Sequence, residues 1–485
     1  MNLVVAPLLI PLATAFLCAL AQPSPRLQRV LSLGGAVTLL ICATVLLQQV
    51  LIHGAVSMTA GNWPQPFGIQ FTADRLGVAL VLVAALMVTI AVLWQESDVD
   101  AAPSSPALHP LLHGLVAGAN GAFLTADLFN LYVWFEVALI CSLGLLAQGG
   151  ALRQLDATLK YFALNLVGTL LLLTAIALLY AATGHLNLVA LGDAAARQDP
   201  AIMLPLIGLL LVAFLVKAAA FPFFAWLPAS YHTLPGPVLA LFSALLSKIG
   251  ICALIRILAG VFQPGQALLC DLLGWIALLS MVTGVLGAAY HWDMRRILAF
   301  HSVSQVGYML LAIALASRAG DAAAIFFALH HSLVKAGLFL TAAMIFRHAG
   351  HYDLRRVGGL YAARPGLAAM FLLLALSLVG IPPLSGFWGK YLIVRESLLQ
   401  GEYLWAVTAL GVGALTLYSM MKIWFEAFWK PHPDKSWQLP ARPRLKPAYI
   451  GLGALVLVTL WMGLYPEPIL GFVIDAAAML RGGPL

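Results

Sequence analysis

Apolar runs of about 20 residues, long enough to cross a bilayer, follow one another from Leu3 into the C-terminal part of the chain. Hydrocarbon offers no water to satisfy backbone N–H and C=O groups, so such a chain folds as a bundle of membrane-spanning helices. Of its 485 residues 62% are hydrophobic and 9% charged, which fits an all-α polytopic membrane protein and excludes a soluble one. The longest polar connections, near 54–74, 347–364 and 430–446, are too short to bury cores of their own. The chain therefore reads as one membrane domain, 1–485. Leu3 to Ala21 lacks a basic leader and an A-x-A-like cleavage site, so it reads as a retained span.

Apolar windows place roughly 14 spans, near 3–21, 28–49, 77–94, 108–126, 128–148, 158–182, 202–230, 235–258, 271–290, 296–316, 322–346, 366–394, 403–428 and 449–476. Two of these spans carry helix breakers in mid-membrane. Pro222 follows Lys217 in FLVKAAAFPFFAWLP, and Pro382 and Pro383 precede Lys390 in GIPPLSGFWGK. Proline removes a backbone donor and clashes with the preceding turn, so both helices are expected to kink or unwind there. The breaks fall at corresponding places in two runs of five spans, about 105–258 and about 271–428, as in a transporter built from inverted repeats. Spans 1–3, about 1–100, and the span near 449–476 lie outside these units.

Basic residues follow the spans in alternation. Loops after even spans hold Arg75, Arg197, Arg256, Arg318, Arg395 and Arg481. Loops after odd spans hold more than twice as many, among them Arg26, Arg29, Arg153, Arg295, Arg296, Arg347, Arg355, Arg356, Arg364, Lys430, Lys435, Arg442, Arg444 and Lys446. Because cytoplasmic loops carry the excess of Lys and Arg, both termini are expected outside a bacterial cytoplasmic membrane. The loop with Glu96, Asp98 and Asp100 dissents, although acids count little in this rule. The net charge of +7 is thus a topology signal and not a nucleic-acid patch.

Against this apolar background Glu136, Lys217, Lys248, Lys335 and Lys390 stand deep within spans. Intramembrane charges are expensive, so they pair, line water-filled paths or relay protons. A lysine serves a relay because an amine held away from water gives up its proton more readily. Glu136 needs a cation or a proton, and Lys217 is its natural partner; the rival reading is a structural ion pair. Lys248 has Ser243 and Ser247 nearby and starts close enough to a helix end to snorkel. Lys335 shares a helix face with His331 at i, i+4, whereas His330 points elsewhere. Lys390 is flanked by Trp388 and Tyr391, as an interfacial lysine would be. His301, with Ser302, Ser304 and Gln305, could hold water or serve as interhelical glue. Asp127 and Asn130 read as capping residues.

No cofactor or metal is expected. Cys18, Cys42, Cys141, Cys252 and Cys270 form no C-x-x-C pair. A His/Lys face lacks a Cys or acid to complete a zinc set, and no phosphate-binding glycine motif follows a candidate strand.

Six segments together are similar to a known superfamily: LFNLYVWFEVALICSLGLL, LVKAAAFPFFAWLPASYHTLPGPV, LLSKIG, HWDMRRILAFHSVSQVGYM, HHSLVKAGLF and GIPPLSGFWGK. They resemble the antiporter-like subunits shared by Mrp-type multisubunit Na+/H+ antiporters and respiratory complex I, from about the third span to the thirteenth. Lysine at 390 and the absence of a long C-terminal extension make the chain most similar to the D-type subunits of the Mrp branch. The resemblance implies two inverted five-helix units, broken seventh and twelfth helices, and a central polar axis. It also implies a role in proton translocation for Glu136, Lys217, Lys248, Lys335 and Lys390, with His331, His330 and His301 as further relay candidates. The expected partners are other subunits of the complex, the lipid membrane, protons and Na+. The alternative is a redox-driven proton-pumping subunit of complex I or a membrane-bound hydrogenase.

Overall fold

The computed structural model describes residues 3–63, 67–95, 105–262, 267–437 and 446–482. The N-terminal part holds α1 (Ala6–Leu20), α2 (Pro25–His53), strands β1 (Val56–Thr59) and β2 (Gln70–Ala73), α3 (Arg75–Gln95) and α4 (Leu108–Leu124). Next come α5 (Leu128–Ala147), α6 (Leu152–Thr183), α7 (Leu188–Ala195), α8 (Pro200–Ala218), α9 (Trp226–Tyr231) and α10 (Gly236–Ile255). After these stand α11 (Ala267–Tyr290), α12 (Met294–Ala314), α13 (Arg318–Ala349), α14 (Leu360–Ala363), α15 (Pro365–Val379), α16 (Ser385–Leu399) and α17 (Tyr403–Ile423). The last two are α18 (Lys446–Leu464) and α19 (Glu467–Gly482).

Among the described residues 12 helical segments are long and apolar enough to cross a membrane. Shorter helices include α4, of 17 residues, and the paired α15 and α16, of 15 each. The starts are written in polar residues. Asp127, Asn187, Asp199, Asp293 and Ser317 each accept a first-turn N–H, satisfying donors that a helix cannot pair internally. Gly184 and Gly350 close α6 and α13 in the left-handed conformation.

The centre is made by α10, α12 and α13. The apolar windows of α10 and α13 are 100% buried and that of α12 is 94% buried, against 39% for α6. A helix apolar all round belongs inside a bundle. These central helices nevertheless carry Lys248, His301, Gln305, His331 and Lys335 fully buried, so charged and polar groups stand at the driest place of the chain.

Two stretches of the chain are built alike. A one-residue antiparallel bridge joins Asp127 to Asn187, clamping the start of α5 to the start of α7 across α6; another joins Asp293 to Asp353 across α13. Both α6 and α13 have 32 residues. Each is followed by a broken helix, α8 with α9 and α15 with α16. Each stretch then ends in a π-helical turn, Arg256–Val261 after α10 and Trp424–Trp429 after α17.

Four features depart from the sequence expectations. First, the connection near 54–74 holds an antiparallel hairpin, β1 with β2, pairing Val56 with Ala73 and Thr59 with Gln70. Its Val, Thr and Phe residues suit strands, and their weak alternation is hidden between long apolar runs. Second, the last span does not run to 476. It ends at Leu464, and α19 begins after Pro466, which cannot continue the helix. Third, Arg256 is not a loop residue. It is 4% exposed, and its guanidinium meets Asp74 at 2.7 Å and the Thr125 carbonyl at 3.1 Å. Removing one member of such a buried pair costs about 3–5 kcal/mol. Arg75 and Arg481 are likewise bound, to Asp475 and Asp321, so α19 is latched to the starts of α3 and α13. Fourth, Ser243 meets Lys248 through its backbone carbonyl, while its hydroxyl donates to the Ala240 carbonyl at 2.9 Å. The residues Glu96, Asp98, Asp100, Arg442 and Arg444 lie outside the described residues.

Candidate functional site: a buried polar axis

The axis begins where α5, α6 and α8 meet. Thr169 donates its hydroxyl to Glu136 Oε1 at 2.6 Å and accepts from Lys217 Nζ at 2.8 Å. Lys217 also donates to the Asn165 carbonyl at 3.4 Å, and its Nζ lies 3.9 Å from Glu136 Oε1. The pair expected from sequence is therefore present but bridged by a hydroxyl. Lys217 is 5% exposed and the Glu136 side chain 26%; the lysine end is dry and the acid end opens outward.

Position follows from the break. α8 ends at Ala218, one residue after Lys217, and Ala219 caps it with φ 62°. The opened turn leaves backbone groups without helical partners. Trp226 Nε1 donates to the Val216 carbonyl at 2.9 Å, and the Phe221 N–H donates to Ser280 Oγ at 2.9 Å. Gly250 lets α10 approach this point, since a Cβ there would stand 2.8 Å from the Ala218 nitrogen.

Two residues before Gly250, Lys248 is fully buried and donates to the Ser243 carbonyl at 2.5 Å. His331 is fully buried on α13, with neither ring nitrogen hydrogen-bonded among the described residues. Lys248 and Lys335 both act on it electrostatically. Lys335, fully buried, donates to the Leu298 carbonyl and lies 5.2 Å from the Phe339 ring centroid. His301 Nε2 meets Ser419 Oγ at 2.9 Å while its Nδ1 has no protein partner among the described residues. Lys335 and Lys390 lie within its electrostatic reach.

Lys390 follows the second break. It donates to the Val379 carbonyl at 2.8 Å, beside Gly380 with φ 94°, and sits 4.6 Å from the Tyr308 ring centroid. A cleft of about 340 Å³ between α16 and α17 reaches it from outside. His330 turns away from His331, as its spacing implied, and meets Ser385 Oγ at 2.9 Å, which in turn meets Ser377 Oγ at 2.9 Å.

The structure thus brings Glu136 to Lys217, sets His331 within electrostatic reach of Lys248 and Lys335, and sets His301 within reach of Lys335 and Lys390. On α12 and α13, His331, His301 Nδ1, Ser304 Oγ, the Gln305 amide and His330 Nε2 are buried polar atoms with no protein partner among the described residues. Sequence reasoning passed over Thr169 and Asn165. Their i, i+4 spacing in the apolar part of α6, beyond Lys160, was the available signal.

At one end of the bundle a cleft of about 660 Å³ is lined by Arg153, His232, His291, Asp293, Arg295, Arg296, Asp353 and Arg355. Burial first, and the Arg296 charge second, hold His232 below the ordinary imidazole range. The Arg355 guanidinium holds the Asp353 carboxyl below the usual carboxylate range. This basic end coincides with the loops expected in the cytoplasm.

The chain is 37% identical to the D-type Na(+)/H(+) antiporter subunit of Alkalihalophilus pseudofirmus, over 98% of this chain and 96% of that one. A chain of the Mrp complex from Dietzia sp. superposes with a TM-score of 0.90 at 31% identity, covering 99% of this chain and 98% of that one. A chain of the membrane-bound sulfane sulfur reductase, an archaeal respiratory membrane complex, superposes with a TM-score of 0.91 at 25% identity, over 99% and 98%. The family model described as NADH:quinone oxidoreductase/Mrp antiporter, transmembrane, matches residues 125–416, the stretch from the start of α5 into α17 that holds every residue of the axis, and the chain belongs to that family.

Proposed function

We propose that this chain is the proton-translocating subunit of a multisubunit Na+/H+ antiporter in a bacterial cytoplasmic membrane, and that it relays protons along Glu136, Lys217, Lys248, His331, Lys335 and Lys390. The observation that carries the reading is the Lys217–Thr169–Glu136 bridge at the head of a row of buried lysines. Glu136 holds Lys217 in its charged form. When Glu136 takes up a proton that attraction is lost, and the Lys217 ammonium passes its proton inward to Lys248. His331 accepts on one ring nitrogen and releases from the other, carrying it to Lys335. Lys390 receives it beside the second break, with His301 and His330 flanking the way. Such a row conducts because a lysine bonded to a carbonyl keeps that hydrogen bond whether charged or neutral.

The matching bridges, 32-residue helices, breaks and π turns support two inverted five-helix units, and the shorter α4 and α15/α16 complete about 14 spans across a bilayer. Both termini face outward in this reading, with the basic cleft inside. A cysteine at Ser436 should resist an impermeant thiol reagent on intact cells; ready labelling there would reverse the orientation. The redox-driven alternative is not favoured, because the relatives named as antiporter subunits match at higher identity over the full length.

Glu136→Asp should keep part of the exchange, whereas Glu136→Gln and Lys217→Ala should abolish it without loss of assembled complex. The assay is Na+- and proton-gradient exchange in vesicles, normalised to assembled complex, across external pH. Unmutated rates for Glu136→Gln over that whole range would remove Glu136 from the relay.

A further inference from the structure

Outside the axis, the N-terminal helices enclose a second polar seam. His109 and His113 lie one turn apart on α4, 1% and 0% exposed. Ser32 of α2 sits between them, its Oγ 2.9 Å from His109 Nδ1 and 2.9 Å from His113 Nε2. His113 Nδ1 is buried without a partner among the described residues. Two turns further along the same face, Asn120 donates to the Pro7 carbonyl at 2.9 Å, and its Oδ1 is likewise buried without a partner. Pro11, one turn on from Pro7, has no N–H to offer that carbonyl. The seam lies N-terminal to the matched stretch 125–416, and the axis makes no use of it.

We propose that His109, Ser32 and His113 form a second proton relay, laid along α4 between α1 and α2. A hydroxyl can donate one hydrogen bond and accept others, so it can stand between two imidazoles as N–H···O–H···N. A proton arriving on His109 Nε2 lets Nδ1 release its own proton to Ser32 Oγ. The Ser32 hydroxyl proton passes to His113 Nε2, and His113 Nδ1 gives one up toward Asn120. One proton enters and one leaves, with no change of oxidation state; rotation of the hydroxyl and return of the tautomers reset the chain. From His109 to Asn120 the seam covers roughly 16 Å at 1.5 Å per helical residue, about half the hydrocarbon thickness of about 30 Å. Arg29 of α2 is the charged group that acts on His109, and among the described residues no carboxylate bonds to the triad. The groups suit a proton and not a metal cation.

The test uses the assembled complex in vesicles. Glutamine donates and accepts like a neutral imidazole but does not titrate, so His113→Gln separates relay from clamp. The relay requires His113→Gln, His109→Gln and Ser32→Ala each to slow proton movement by about a hundredfold, the lower part of what a positioned proton-transfer group contributes. Ser32→Thr, which keeps the hydroxyl, should restore it. Full rates in both glutamine variants would reduce the triad to a structural clamp and overturn the proposal. Glu136→Gln is run alongside. Insensitivity to that variant with the His113→Gln effect intact would sink the axis and leave this relay standing.

Discussion

In the break between α8 and α9 the lysine precedes the bend and is tied through a hydroxyl to a carboxylate; in the break between α15 and α16 it follows the bend and is tied to the Val379 carbonyl. The surrounding frames match. Asn165 and Thr169 stand as far before the bridge residue Asn187 as His331 and Lys335 stand before its counterpart Asp353. One frame thus places neutral hydrogen-bonding groups where the other places a histidine and a lysine. The first arrangement fixes charge, because an ion pair is weakened as soon as either member is neutralised. The second tolerates both protonation states, because a carbonyl accepts from an amine or an ammonium alike. A paired head and an unpaired interior give a relay both a place to hold a proton and places to pass it.

The comparison can be broken first at its tightest packing. A Cβ on Gly386 would lie 1.8 Å from the Ser377 carbonyl oxygen, whereas one on Gly250 would lie 2.8 Å from the Ala218 nitrogen. Overpacking costs about 1–3 kcal/mol and more where backbone must move. Gly386→Ala should therefore leave almost no assembled complex, and Gly250→Ala should lower it several-fold. Equal recovery of the two from membranes would mean that the breaks are equally strained.

A smaller and more specific effect is expected at Thr169. Valine keeps its shape and loses the hydroxyl that joins Lys217 to Glu136. Thr169→Val should cut exchange by roughly a hundredfold, in the range of a lost proton-transfer group, with assembly maintained; Thr169→Ser should retain most of it. Exchange at full rate in Thr169→Val would show that the direct 3.9 Å approach of the charges suffices.

The smallest effect sharpens the contrast from the other side. Thr416 of α17 is fully buried, and among the described residues its hydroxyl bonds only the Val412 carbonyl of its own helix, at 2.8 Å. The Val412 carbonyl lies inside α17 and keeps its place in the helical ladder, so valine leaves no buried group newly unpaired, and Thr416→Val should change exchange by less than about twofold. A large loss there would extend the polar axis into α17.

The spacing of the apolar runs, the two proline-bearing breaks and the burial of Lys217, Lys248 and Lys335 were legible in the sequence, since each is a local consequence of hydropathy or backbone chemistry. Glu136 and Lys217 were paired in advance by the cost of burying either alone. His331 and Lys335 were assigned to one face, and His330 away from it, by helical spacing.

What the sequence determined by itself is therefore a membrane bundle with interior charges, because length, hydropathy and spacing act within one helix. What tertiary structure decided is who meets whom: Thr169 between Glu136 and Lys217, Arg256 on Asp74, Ser32 between two histidines of α4. Each of these contacts joins residues on different elements. In a buried interior a polar group takes whichever partner packing brings within about 3 Å, and that choice is made by how helices cross, not by the order of residues along any one of them.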